Sequence, residues 1–185
     1  MAEHVCPPWI GWLLASPIRK LVQNPDRIVG PHLRPGMTAL DVGCAMGFFS
    51  LPMARLVGDE GRVICVDVQE PMIRSLTRRA ERAGLSGRVD PRLCNGSGLG
   101  LADVAGQVDF ALAFAVVHEV DDPAAVMREL FEALAPGGRL LFSEPSGHVS
   151  DEQFAGSVQL AEDAGFVVLE RTQVARGMSV LLGKD

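Results

Sequence analysis

The chain has 185 residues, 48% hydrophobic and 22% charged, which is enough ordinary globular sequence for one domain with an enclosed core. A formal net charge of −6 argues against a broad nucleic-acid surface, because binding to phosphates needs clustered Lys and Arg, so no nucleic-acid partner is expected. The four cysteines, Cys6, Cys44, Cys65 and Cys94, are far apart and form no C-x-x-C pair, so neither a zinc knuckle nor a disulfide framework is suggested, which fits free thiols in a reducing cytoplasm.

The first 34 residues read as a helical extension. Its apolar stretch 8–15 is too short to span a bilayer and lacks the basic flank of a secretory signal, so no membrane insertion is expected. Trp9, Ile10, Leu13 and Leu14 give it an apolar face that packs on a sheet edge, covers a substrate pocket as a lid, or touches a membrane peripherally. From residue 35 onward, short apolar runs alternate with helical patterns. Strands are expected over 37–42, 62–66, 88–94, 108–114 and 139–143, with the Pro136-Gly137-Gly138 turn leading into the last of these. Helices are expected from the first glycine turn through about Val57, then over 72–83, 123–134 and 150–164. Asp121 or Asp122 caps the third of these and Ser150 the fourth. Two closing strands, 166–172 and 178–182, are joined by too few residues for a helical crossover and must be antiparallel. The pattern is a doubly wound α/β sheet with one reversed strand, and ligands of such sheets sit at the carboxyl ends of the strands.

The chemistry falls at those ends. The first strand runs into Asp41-Val42-Gly43-Cys44-Ala45-Met46-Gly47 and then a helix, a turn where backbone can approach a ligand closely. Asp41 would repel a pyrophosphate there but suits a cationic amino-acid group. Asp67 ends the second strand, where a carboxylate can accept both hydroxyls of a ribose. Alternatively, Asp41 caps the turn and Asp67 simply ends a strand.

The segments ALDVGCAMG, VICVDVQEPM, VDFALAFAVVHEV and LFEALAPGGRLLFSEP, in this order, resemble the class I S-adenosylmethionine-dependent methyltransferases from about Pro35 to the last residue. The resemblance implies a seven-stranded sheet in the order 3-2-1-4-5-7-6 with strand seven antiparallel, and S-adenosyl-L-methionine as cofactor. Carried over by position, Asp41, Gly43 and Gly47, with Cys44 and Ala45 in the loop, shape the methionine side. Asp67 holds the ribose, Val68 and Met72 flank the adenine, Asn95 and Gly96 meet its edge, and Phe114 and Ala115 face the amino-acid part. Three positions depart from the family pattern. Ala45 stands where the middle glycine is usual, Asn95 where Asp is frequent, and Pro52 predicts a kink or a delayed start in the first helix.

Methyl transfer from a sulfonium rests largely on placement, and a base is needed only where the acceptor must lose a proton. His118 and Glu144 are the candidate catalytic residues, with His148 in the loop after Glu144. Against this, His118 can serve as a cap or packing group and Glu144 as a partner of loop backbone. His4 and Cys6 could join His118, Glu144 and His148 in a thiol–imidazole cluster, but no metal site is assigned. Arg74, Arg78, Arg79 and Arg82 read as a solvated helix face, or as a surface for an acidic partner or RNA backbone. The resulting expectation is a methyltransferase acting on a small molecule, as a monomer or homodimer. A non-catalytic cofactor-binding regulator and a nicotinamide-dependent oxidoreductase are the alternatives, the latter disfavoured by Asp41 and the reversed strand.

Overall fold

The computed structural model describes residues 23–95, 98–174 and 177–185. Seven strands form one sheet in the order β3-β2-β1-β4-β5-β7-β6, with β7 antiparallel to both its neighbours, as the sequence implied. The chain divides into two compact units, one ending at Leu93 and the other beginning at Cys94.

In the first unit, β1 (Thr38–Val42), β2 (Arg62–Asp67) and β3 (Val89–Leu93) pair in parallel, Asp41 standing beside Cys65 and Asp67 beside Leu93. Pro91 lies in β3, a terminal strand of the sheet, where an imino nitrogen is tolerated because one edge carries no ladder. Helix α1 (Pro25–Val29) is capped by the Asn24 side chain and followed by a 3-10 turn (Gly30–His32), with Val29 and Leu33 buried. Residues 1–22, which carry most of the expected N-terminal extension including Trp9, Ile10, Leu13 and Leu14, lie outside the described residues.

Helix α2 (Ser50–Leu56) begins just before Pro52, so the proline sits in the first turn, where its missing N–H would have had no helical acceptor. The outcome is a late start rather than a kink. Helix α3 (Glu70–Arg82) buries Met72, Leu76 and Ala80, one face at i, i+4 and i+8. Leu40, Met53, Ile64 and Leu76 are the large, fully buried side chains of this unit.

In the second unit, β4 (Val108–Phe114) is buried almost throughout, as a strand covered on both faces must be. Asp122 caps α4 (Pro123–Ala133) by accepting the Ala125 amide, and Ser150 and Gln153 close a reciprocal capping box on α5 (Asp151–Asp163). Strand β5 (Leu134–Glu144) starts five residues earlier than its apolar run suggests. Leu134 already pairs with Val108, and the register then shifts so that Arg139 faces Phe110. Pro136-Gly137-Gly138 is therefore a bulge inside the strand, with Gly137 at φ +77°, rather than a turn before it. Strands β6 (Val167–Val174) and β7 (Gly177–Gly183) close the unit. Phe110, Leu112, Met127, Leu130, Leu140 and Phe142 make its core, and Phe142 stacks on Phe154 with centroids 5.1 Å apart.

Among the described residues no helix is long and apolar enough to cross a membrane. The last carbonyls of α4 find a cation. Lys184 Nζ donates to Phe131 O and Leu134 O, both at 2.7 Å, and lies 4.7 Å from the Phe131 ring centroid. Lys184→Ala should lower stability by about 1–2 kcal/mol in urea unfolding, with an unchanged m-value; an unchanged midpoint would show that the cap contributes nothing.

Candidate functional site

The first unit carries the glycine turn. As the chain leaves β1, the Gly43 and Cys44 amides both donate to Val66 O, at 2.9 and 3.1 Å, and fold the turn back against β2. Gly43, Ala45 and Gly47 alternate in the left-handed region, at φ +69°, +46° and +83°. At Gly47 a side chain has no room, since a Cβ would come within 2.5 Å of Leu76 Cδ1. At Ala45 a methyl group is present, and this conformation costs an L-residue about 1–2 kcal/mol.

The Ala45 amide is held by Asp67. Its N–H donates to Asp67 Oδ2 at 2.9 Å, while the Gln69 amide donates to Oδ1 at 2.8 Å. Asp67 is 8% exposed, and burial pushes its carboxyl above the usual range although the backbone donors pull it back. Val68, next to it, is 48% exposed, an apolar side chain left open at the end of β2.

Asp41 is different. It is 2% exposed and accepts the Ser50 hydroxyl at 2.5 Å, so it ties the end of β1 to the first residue of α2. Cys44 is buried, and burial raises its thiol well above its ordinary value, which fits a packing role. Met72 is likewise packed inside, on the buried face of α3.

The second unit brings His118 and Glu144 together. β4 ends at Phe114, and Ala115, at φ +56°, donates its amide to Ser143 O at 2.7 Å. That turn leads into a 3-10 turn (Val117–Glu119) bearing His118. Glu144, at the end of β5, takes the His118 backbone amide on Oε1 at 3.1 Å and lies 2.6 Å from Nδ1 through Oε2. The glutamate is 2% exposed and the imidazole 26%. Burial raises the Glu144 carboxyl, with His118 opposing the shift. His118 is thus both a backbone-anchored turn residue and an imidazole paired with a carboxylate. With Nδ1 bonded to Glu144, the lone pair of a neutral ring stands on Nε2. His148 lies over it, ring centroids 6.3 Å apart and planes 22° from parallel. The backbone at Glu144 is closely approached by Gly177, where a Cβ would sit 2.7 Å from Glu144 O.

Phe114 and Ala115 are half-buried, and Asn95 is exposed just after β3. Gly96, His4 and Cys6 lie outside the described residues, and with them the expected cluster of His4 and Cys6 with His118, Glu144 and His148. Among the described residues no group of three or more His, Cys, Asp or Glu is placed to hold a metal.

Two residues of the site escaped the sequence reading. Ser50 carried no signal beyond its place before the helix. Arg79 was grouped with the solvated arginines, although it follows Leu76 by three residues and so borders the buried face. Arg74, Arg78 and Arg82 are exposed, whereas Arg79 is half-buried with its guanidinium on Met46 O.

A family model described as a methyltransferase domain matches residues 33–176. The chain is 35% identical over 155 residues to a ribosomal protein L11 methyltransferase of Pelotomaculum thermopropionicum, covering 83% of this chain and 46% of that protein. It is 38% identical over 112 residues to nocamycin O-methyltransferase of Saccharothrix syringae, covering 60% of this chain and 39% of the relative. The chain therefore spans less than half the length of these relatives. A SAM-dependent methyltransferase from Aquifex aeolicus superposes with a TM-score of 0.86 at 25% identity, over 98% of this chain and all of that one.

The left-handed Ala45 yields a direct test. Ala45→Gly removes the methyl clash at the cost of a more flexible unfolded chain, so a net stabilisation of up to about 1 kcal/mol is expected. Thermal unfolding reads it, and a lowered melting temperature would contradict the strain assigned to this residue.

Proposed function

The chain belongs to the methyltransferase-domain family, and from that premise we propose that it transfers the methyl group of S-adenosylmethionine to a hydroxyl or thiol of a small-molecule acceptor. The observation that carries the reading is the Asp67 carboxylate, joined to the Ala45 amide at the mouth of a turn built from left-handed residues.

The residues present fit the cofactor. A carboxylate offers about four lone-pair positions, so Asp67 can keep its backbone donors and still accept both ribose hydroxyls. The exposed Val68 gives the adenine an apolar wall, while Met72 backs it from within the packed face of α3. Gly43, Cys44, Ala45 and Gly47 take the methionine end, where short side chains leave the backbone approachable. Asp41, sealed against Ser50, holds the turn rather than touching the ligand. Asn95, Phe114 and Ala115 belong to the second unit, and the cofactor roles given to them rest on the family resemblance alone.

When bound, the cofactor supplies a methyl group on a positively charged sulfur, already activated toward in-line displacement. What the chain adds is position and a proton acceptor. His118 Nε2 takes the proton of the acceptor hydroxyl or thiol, and the buried Glu144 carboxylate fixes the ring and stabilises the imidazolium that forms. The name of one relative, nocamycin O-methyltransferase, supports an oxygen acceptor. The buried thiols of Cys44 and Cys65 support a cytoplasmic setting, where the protein acts as a monomer or homodimer.

Calorimetry with S-adenosylhomocysteine, and transfer of labelled methyl to a panel of small hydroxylated and thiol acceptors, test the reading together. The wild type should bind and transfer. Asp67→Ala should weaken binding at least about tenfold, and His118→Asn should slow transfer about 10²-fold or more with binding retained. Failure of the wild type to bind would overturn the cofactor assignment. Binding without transfer to any small molecule would point to a regulatory protein instead.

A further inference from the structure

Helix α3 presents two kinds of arginine. Arg74 pairs with Glu70 at 2.9 Å, and Arg78 Nε donates to Arg74 O at 3.3 Å, both at the helix surface. Arg79 instead turns toward the glycine turn and donates from its guanidinium to Met46 O, across 33 residues of sequence. Among the described residues that carbonyl is its hydrogen-bond partner, so a half-buried cation is spent on holding main chain rather than on an ion pair. Burial lowers its pKa, as expected for a charge partly removed from water. Leu76, one turn earlier on α3, is the side chain that fills the space beside Gly47.

The consequence lies in which atoms are held. The Ala45 N–H is donated to Asp67, and the carbonyl of the next residue, Met46, receives Arg79. Ala45 between them is in the left-handed region that an alanine leaves readily. If Met46 O were released, the turn could relax by rotating at Ala45, which would withdraw its amide from Asp67. The carboxylate that is to receive the ribose would then lose one of the backbone donors that aim it.

We propose that Arg79 is a positioning residue for the cofactor site: it clamps the Met46 carbonyl so that Ala45 keeps its amide on Asp67. The clamp rests on the cofactor assignment above, but its function is distinct, because Arg79 does not touch the ligand. It acts on affinity for the cofactor, not on the acceptor or the proton transfer.

The test uses the full chain and S-adenosylhomocysteine as the probe. Arg79→Met keeps the aliphatic stem and removes the donor. It should raise the dissociation constant about tenfold, the scale of one charge-assisted hydrogen bond, and raise KM for S-adenosylmethionine with kcat nearly unchanged. Arg79→Lys, which keeps the charge and a donor, should recover most of the loss. Ala45→Gly introduced into Arg79→Met should recover part of it as well, since glycine holds the left-handed conformation without help. Three results would overturn the proposal: wild-type affinity in Arg79→Met, no recovery in Arg79→Lys, or a loss in kcat with KM unmoved. If the wild type itself fails to bind the probe, the cofactor assignment falls first, which separates the two failures.

Discussion

The hydrogen bond from the Ala45 amide to the Asp67 carboxylate joins the end of β1 to the end of β2, and most of the first unit can be read as holding it in place. Gly43 and Cys44 fold back on Val66, and Gly47 leaves room for Leu76. Asp41 fixes the start of α2 through Ser50, and Arg79 takes the next free carbonyl. Each contact is modest in net free energy. Together they keep an alanine in a conformation it would otherwise abandon, and they aim a buried carboxylate that has spare acceptor capacity.

The second unit repeats the device with different chemistry. A buried carboxylate at the end of β5 is held against a turn, and here the donor is both a main-chain amide and an imidazole. Ala115, again left-handed and not glycine, makes the bend that brings His118 over Glu144. In both units a non-glycine residue with positive φ marks the turn at a strand end, where strain and function tend to coincide.

Much of this was legible beforehand. Strand β4 announced itself as an apolar run broken only by Asp109, and Ser150 as the cap of α5. The reversed last strand followed from a connection too short for a crossover. The pairing of His118 with Glu144 was not legible, since 26 residues and a helix separate them. The early start of β5 was hidden by Pro136-Gly137-Gly138, which reads as a turn and is in fact a bulge within the ladder. Arg79 was hidden by its neighbours, because three exposed arginines at fourfold spacing made a fourth look like one of them. Asp41 reads in the sequence as a ligand-facing carboxylate, and its burial at 2% exposure with the Ser50 hydroxyl as donor was not legible there.

The central claim is that the Asp67 carboxylate, aimed by the Ala45 turn, receives the ribose of an S-adenosyl cofactor. A crystal structure with S-adenosylhomocysteine tests it most directly. The account predicts both ribose hydroxyls within hydrogen-bonding distance of Asp67, with the Ala45 amide still donating to the same carboxylate. A ribose held by other residues, or an Ala45 amide turned away from Asp67 in the complex, would contradict it.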